Sequence, residues 1–171
     1  LWGDYNPAGR LPITFYRSDA DLPPFEDYAM AGRTYRYFAG QPLFPFGFGL
    51  SYASFAYMGL SVSPQEIARG EGVRVTAEVR NTGHRAGDEV VQLYLRALEP
   101  GGPAPLRALA GFARLHLRPG EAHTMTFTIH PQQMARVDDS GRRVLEPGTF
   151  EVSVGGAQPG PGCVIGRFRV A

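Results

Sequence analysis

From Val73 to Val79 every second residue is apolar: Val73, Val75, Ala77 and Val79 alternate with Arg74, Thr76, Glu78 and Arg80. A period of two sends one set of side chains to a buried face and the other to water, the pattern of a half-buried β-strand. The same spacing recurs along the chain. Phe55, Tyr57 and Gly59 alternate into a first strand that stops near Pro64. Met125, Phe127 and Ile129 face one way and Thr124, Thr126 and Thr128 the other, with His123 in register and half-buried. Val90-Val91-Gln92-Leu93-Tyr94-Leu95 is nearly continuous in apolar character, as expected near the middle of a sheet. Leu109 to Leu117 reads as a further strand with Phe112 and Leu115 in the core, and short strands follow at Val144, at Phe150 to Val154 and at Phe168 to Val170. Asn81-Thr82-Gly83, Pro119-Gly120, Asp138-Asp139-Ser140-Gly141 and Pro147-Gly148 supply turn chemistry between them, and Pro131 to Met134 fits one helical turn or a bend. Seven or eight short strands punctuated in this way predict an all-β sandwich.

Ahead of the strands the chain changes character. Of 20 Phe, Trp and Tyr residues, 15 lie between Trp2 and Tyr57. Pro7, Pro12, Pro23, Pro24, Pro42 and Pro45 interrupt every candidate helix or central strand in that stretch. Each aromatic side chain has on the order of 150–250 Å² to bury, and a segment so broken cannot build a core for them. The expectation is an extended, mostly irregular arm laid over a larger body that is mostly missing from this sequence. A start at Leu1, without Met, reads the same way, as the inside of something longer.

Composition narrows the partners. All 17 basic residues are Arg, and with 16 acidic residues spread along the chain the net charge is +1. That provides no concentrated basic stripe for nucleic acid. An all-Arg usage suits carboxylate or phosphate forks, although a coding bias of the source genome is the plainer cause. No apolar run approaches the roughly 18–20 residues of a membrane helix. Cys163 is the single cysteine, so no intrachain disulfide forms, a Cys-based metal site lacks partners, and stability must come from packing.

Few residues are spaced for chemistry. Asp19, Asp21, Glu26 and Asp27 crowd the arm, where a solvated loop competes with a cation or sugar contact. Asp138-Asp139 lacks the ligand spacing of a calcium loop and fits a hairpin turn. His84, His116, His123 and His130 share no metal spacing on one helix or hairpin, and His84 and His130 are expected at the surface. No serine sits in a Gly-x-Ser-x-Gly elbow. Gly155-Gly156 and Pro159-Gly160-Pro161-Gly162 read as a flexible loop, not a phosphate cradle. No cofactor and no metal are expected.

Several longer segments carry a resemblance. Asn6-Pro7-Ala8-Gly9-Arg10-Leu11-Pro12-Ile13-Thr14-Phe15 is similar to the stretch near the end of the α/β sandwich domain of family 3 glycoside hydrolases. Gly32-Arg33-Thr34-Tyr35-Arg36-Tyr37-Phe38 and Pro42-Leu43-Phe44-Pro45-Phe46-Gly47-Phe48-Gly49-Leu50-Ser51-Tyr52 follow in that family's order and spacing. Asn81-Thr82-Gly83, Gly87-Asp88-Glu89-Val90-Val91-Gln92-Leu93-Tyr94, Leu109-Ala110-Gly111-Phe112 and Pro119-Gly120-Glu121 resemble its fibronectin type III-like domain. The residue chemistry agrees: Gly47 and Gly49 suit a tight, backbone-close passage between domains, Gly83 a turn needing φ > 0, and Asp88 a turn cap that accepts backbone N–H groups.

The resemblance implies an immunoglobulin/fibronectin type III-like sandwich of seven or eight strands over residues 51–171. Residues 1–50 would be the C-terminal tail of the preceding α/β sandwich catalytic domain and the interdomain linker. The family's nucleophile, an Asp typically followed by Trp, belongs to an N-terminal barrel; here the only Trp, Trp2, follows Leu1. The family's general acid, a Glu, precedes the represented segment. The chain alone is therefore expected to be inactive and non-catalytic, bracing the catalytic domains of its parent, a β-xylosidase or β-glucosidase acting on plant-type oligosaccharides. Met30-Ala31-Gly32-Arg33-Thr34-Tyr35-Arg36 is closer to the β-xylosidase-like branch, with β-glucosidase second. By the same resemblance the parent is secreted or periplasmic. The alternative is a carbohydrate-binding module for oligo- or polysaccharide, but beyond Tyr57 only Tyr94 falls outside the expected core among Tyr94, Phe112, Phe127, Phe150 and Phe168. Arg33 and Tyr35 are the substrate-rim candidates; interdomain packing, with guanidinium groups stacked on aromatics, is the other reading of them.

Overall fold

A computed structural model describes residues 3–171, so that Leu1 and Trp2, the pair bearing on the Asp-Trp pattern, lie outside it. The alternating segments fold into β1 (Phe55–Ser63), β2 (Glu66–Ile67), β3 (Val73–Asn81), β4 (Gly87–Ala97), β5 (Ala108–Leu117), β6 (Ala122–Ile129), β7 (Arg136–Val137), β8 (Arg143–Val144), β9 (Gly148–Gly155) and β10 (Val164–Val170). β1, β3 and β6 form one sheet in the order β1-β3-β6; the second runs β2-β10-β9-β4-β5. All pairings in the two sheets are antiparallel except that of β2 with β10. β7 and β8 make a separate hairpin, and Pro131–Met134 is one helical turn with Pro131 at its start.

The core lies between the sheets. Val73, Val75, Ala77 and Val79 of β3 bury their side chains, as the period of two predicts, against Val91, Leu93, Val152, Val154 and Val170 of the second sheet. Phe150 and Phe168 stack with ring centroids 5.4 Å apart. Gly166 has no side chain, and this lets Leu60 and Val62 close on β10.

Four local expectations are corrected. In β1 the buried set runs Phe55, Tyr57 and then Leu60, Val62, because the register against β3 shifts between Met58 and Ser61. Gly59, at φ +62°, absorbs the extra residue and moves the later side chains to the opposite face. Phe112 is 68% exposed. It pairs with Gln92 and faces outward with Arg114 and His116, while Leu115 and Leu117 turn inward. His123 is exposed rather than half-buried. Gly83 does not occupy the positive-φ region; a Cβ there would lie 2.8 Å from the Ser54 nitrogen, so close approach is what it serves.

Residues 3–54 contain only a 3-10 turn (Asp19–Asp21), one helical turn (Thr34–Tyr37) and an isolated bridge between Phe15 and Phe44. Two passes of the arm clip to each other: Leu11 N donates to Phe48 O at 2.8 Å, Gly47 N to Leu11 O at 2.8 Å and Phe15 N to Phe44 O at 3.0 Å. No helix among the described residues is long and apolar enough to cross a membrane.

Candidate functional site

The polar chemistry of the molecule concentrates where the arm meets the sandwich. Glu89 has the strand parity of Val91 and Leu93, so its carboxylate points toward the interior, and it is the one buried carboxylate among the described residues. A charge there needs partners. Tyr57, from the opposite sheet, donates its hydroxyl to Oε1 at 2.7 Å, and Arg10, from the arm, donates Nη2 to Oε2 at 2.8 Å. Arg10 Nε reaches Gly156 O at 3.3 Å. Burial first, and Glu89 second, push the Tyr57 phenol far above its ordinary range, so it stays a donor. A Cβ on Gly156 would sit 2.6 Å from Glu89 Oε1, so that position must be glycine for the carboxylate to keep its place.

Gln92, facing out of the second sheet, forms a second tie. Its Nε2 donates to Gly156 O at 2.7 Å and Gly47 O at 3.1 Å, and its Oε1 accepts the Tyr94 hydroxyl at 2.6 Å. Over Tyr94 the arm lays Phe46 and Tyr35, stacked at 4.1 Å and each edge-on to the Tyr94 ring at 6.5 and 6.1 Å. Burial raises the Tyr94 phenol as well. Backbone bonds complete the seam: Gln158 N to Phe46 O at 3.0 Å and Leu106 N to Arg36 O at 2.7 Å. Gly47, at φ +80°, lies where a side chain would strike the Gln92 amide, and Gly49 where one would strike the Gly9 carbonyl. The tight passage expected of these two glycines is present.

Of the two rim candidates, Tyr35 lies in this seam, its hydroxyl accepting Leu109 N at 3.1 Å. Arg33 lies apart, its guanidinium wrapped around the carbonyls of Pro24, Asp27 and Ala29. It shapes a lobe of the arm on which Phe25 is 90% and Tyr28 89% exposed. Asp27 Oδ1 accepts Ala29 N at 2.8 Å in the same lobe. Asp138 Oδ1 accepts from Ser140 N and Arg142 N at 2.9 Å each, the hairpin turn expected of it. Asp88 departs from expectation: it takes Arg114 Nε at 2.8 Å and His116 Nδ1 at 2.6 Å across β5 instead of capping a turn.

Sequence reasoning missed Arg10 and Glu89. One signal was present, a carboxylate in a core-facing register, which requires a buried partner. Nothing in the sequence identified a partner 79 residues away. A cleft of about 370 Å³ also opens at one end of the sandwich; the Arg136–Glu146 ion pair lies on its wall beside Pro103, Met134 and Phe150.

This architecture, two sheets, antiparallel but for the β2–β10 pair, over one core with an aromatic arm clipped across the outer face, defines a fibronectin type III-like domain with an N-terminal extension. Residues 89–158 match the fibronectin type III-like domain family, and residues 1–52 match the glycosyl hydrolase family 3 C-terminal domain. A xylan 1,4-beta-xylosidase of Xylanibacter ruminicola is 41% identical over 91% of this chain and 18% of its own length. A periplasmic beta-glucosidase of Salmonella typhimurium is 37% identical over 91% of this chain and 22% of its own. The solved structure of a β-glucosidase from Erythrobacter marinus superposes with a TM-score of 0.84 at 34% identity, covering 99% of this chain and 22% of that one. The chain belongs to the family 3 glycoside hydrolases, and it spans about a fifth of the length of the curated relatives it matches.

Proposed function

We propose that this chain is the non-catalytic C-terminal part of a β-xylosidase or β-glucosidase acting on plant-type oligosaccharides. Residues 51–171 are the brace, and residues 1–50 are the tail of the catalytic α/β sandwich domain and its linker. One observation carries the reading: the arm is two-sided. Its inner side is clipped to the sandwich through Arg10, Gly47, Tyr35 and Phe46. Its outer side is apolar and uncovered, for 11 of the 15 large exposed hydrophobic residues among the described residues fall at or before Tyr52. Burial of apolar surface at roughly 25 cal/mol per Å² favours docking of that side onto a body. The one buried carboxylate among the described residues is saturated by Tyr57 and Arg10, so it is not free for the two-carboxylate chemistry of glycoside cleavage.

Limited proteolysis tests this. In the isolated chain, cuts should fall first in the lobe around residues 17–32, and the same sites should resist in a protein that carries the barrel and α/β sandwich domains. Equal sensitivity in both would count against bracing. Aryl-glycoside assays on the 171-residue chain should read zero; turnover abolished by one Asp substitution would overturn the non-catalytic reading.

Exposed Phe112, which shares the outer face of β5 with Arg114, favours a second reading as a polysaccharide-binding surface. Retardation in xylan or cellulose affinity gels that disappears in Phe112→Ala would support it.

A further inference from the structure

The outer face of the five-stranded sheet carries a row of charges that does not balance. Arg167 on β10 pairs with Glu151 on β9, and Glu151 lies opposite Arg96 on β4. Arg107 precedes Ala108, the partner of Leu95, and so stands next to Arg96 at the end of the row. Glu151 is committed to Arg167, its Oε2 accepting Nε at 3.1 Å and Nη2 at 2.9 Å. Among the described residues, neither Arg96 nor Arg107 has a carboxylate partner. Arg107 is moreover half-buried, and burial first, then Arg96, hold its guanidinium below the usual range.

Like charges on neighbouring strands destabilise a sheet, and the partial burial of the Arg107 guanidinium, whose nitrogens keep some contact with water, adds to the cost. An arriving carboxylate removes both penalties, and the flat guanidinium fork matches its geometry. The surroundings point to a protein carboxylate. Ile165, 56% exposed, lies two residues from Arg167 on the same face, and the arm's Tyr35 and Phe46 cover Tyr94, two residues from Arg96. Arginine beside aromatic and other apolar side chains is a combination enriched at protein interfaces.

We propose that Arg96 and Arg107 form a docking site for an acidic side chain of the protein body on which the arm's exposed aromatic side rests. The identity of the partner rests on the bracing reading; the carboxylate preference of the site does not.

The test uses the 171-residue chain and a fluorescent oligo-glutamate peptide at fixed ionic strength. The chain should bind the peptide, and R96Q and R107Q should each weaken binding about tenfold, the scale of one charge-assisted contact. R74Q, on the other sheet, should leave it unchanged. No binding, or equal weakening by R74Q, overturns the proposal. Glucuronate bound through Arg96 and Arg107 with no peptide binding also overturns it, in favour of an acidic saccharide. As a check that does not depend on the peptide, R107Q should keep or raise the melting temperature. A clear fall would mean the charge already has its partner within the fold, and would overturn the proposal. Because no catalytic domain takes part, a negative result leaves the bracing reading to its own protease comparison.

Discussion

Arg10 of the arm and Glu89 of β4 bring Nη2 to within 2.8 Å of Oε2, with 11% and 4% of their side-chain surface left to solvent. The Tyr57 hydroxyl on the other carboxylate oxygen makes this a three-way joint of arm, first sheet and second sheet. Breaking a buried pair from one side strands the other charge, at about 3–5 kcal/mol. Arg10→Met should therefore lower the unfolding free energy by about 3 kcal/mol in urea titrations. Arg10→Met with Glu89→Gln should recover most of that, because no charge is left stranded. A double variant as weak as the single one would mean that the arm is held through packing of the Arg10 stem and not by the ion pair.

Gly49 and Gly47 set the course of the arm past the sandwich in different ways. A Cβ on Gly49 meets the Gly9 carbonyl, a backbone atom with nowhere to go. A residue other than glycine at Gly47 must hold φ near +80° and also displace the Gln92 amide; the backbone conformation alone costs about 1–3 kcal/mol. Gly49→Ala and Gly47→Ala should both speed tryptic cleavage at Arg10 and Arg17 and lower the urea midpoint, Gly49→Ala the more because its Cβ also strikes the Arg10 side chain that pairs with Glu89. Unchanged cleavage rates would mean that the seam tolerates a side chain the geometry forbids.

The strands were legible where one face is buried and the period of two is unbroken, as in Val73 to Val79. They misled where the backbone slips. Gly59 inverts the second half of β1; a glycine inside a strand is a mark of such a bulge, but the alternation counted it as one more inward position. In β5 the large apolar residues Leu109, Phe112 and Leu115 recur every third position, so alternation alone cannot say which of them face inward. The arm's inability to enclose its aromatics was readable from its prolines. Its attachment was not, because Arg10 and Glu89 meet through tertiary folding and belong to no local motif. The Gly47–Gly49 pair was the one visible trace of that seam, since a close backbone passage leaves its mark as missing side chains.

Asp88 should give the sandwich a pH signature. Its hydrogen bonds with His116 and then Arg114 hold its carboxyl below the usual carboxylate range. A folded-state value below the unfolded one, about 3.9 for aspartate, means the stabilisation is complete above the unfolded value. It is lost as pH falls through the lower, folded one. The site is open to water, so the contribution is small and screened. Asp88→Asn should be less stable than wild type at neutral pH, the gap narrowing with added salt and closing as pH drops below the ordinary aspartate range. A gap that stays constant into acid would mean that Asp88 acts through its shape and neutral hydrogen bonds alone.

The lobe bearing Phe25 and Tyr28 makes the most direct prediction about the isolated chain. Both rings stand almost wholly in solvent, while Arg33 holds the loop beneath them by bonds to Pro24, Asp27 and Ala29 carbonyls. Neither ring packs in the sandwich core, so Phe25→Ser with Tyr28→Ser should leave its unfolding free energy within about 0.5 kcal/mol. Uncovered aromatic surface on a fixed loop favours association. Sedimentation velocity of the wild-type chain should show oligomers that grow with concentration, and the double substitution should shift the distribution to monomer. Adding Arg33→Ala instead, which frees the loop but keeps both rings, should weaken association less, because the rings remain and only their presentation is lost. If wild type and the double variant sediment alike at every concentration, the exposed rings are not the adhesive surface. Docking onto a catalytic body would then have to run through the rest of the arm.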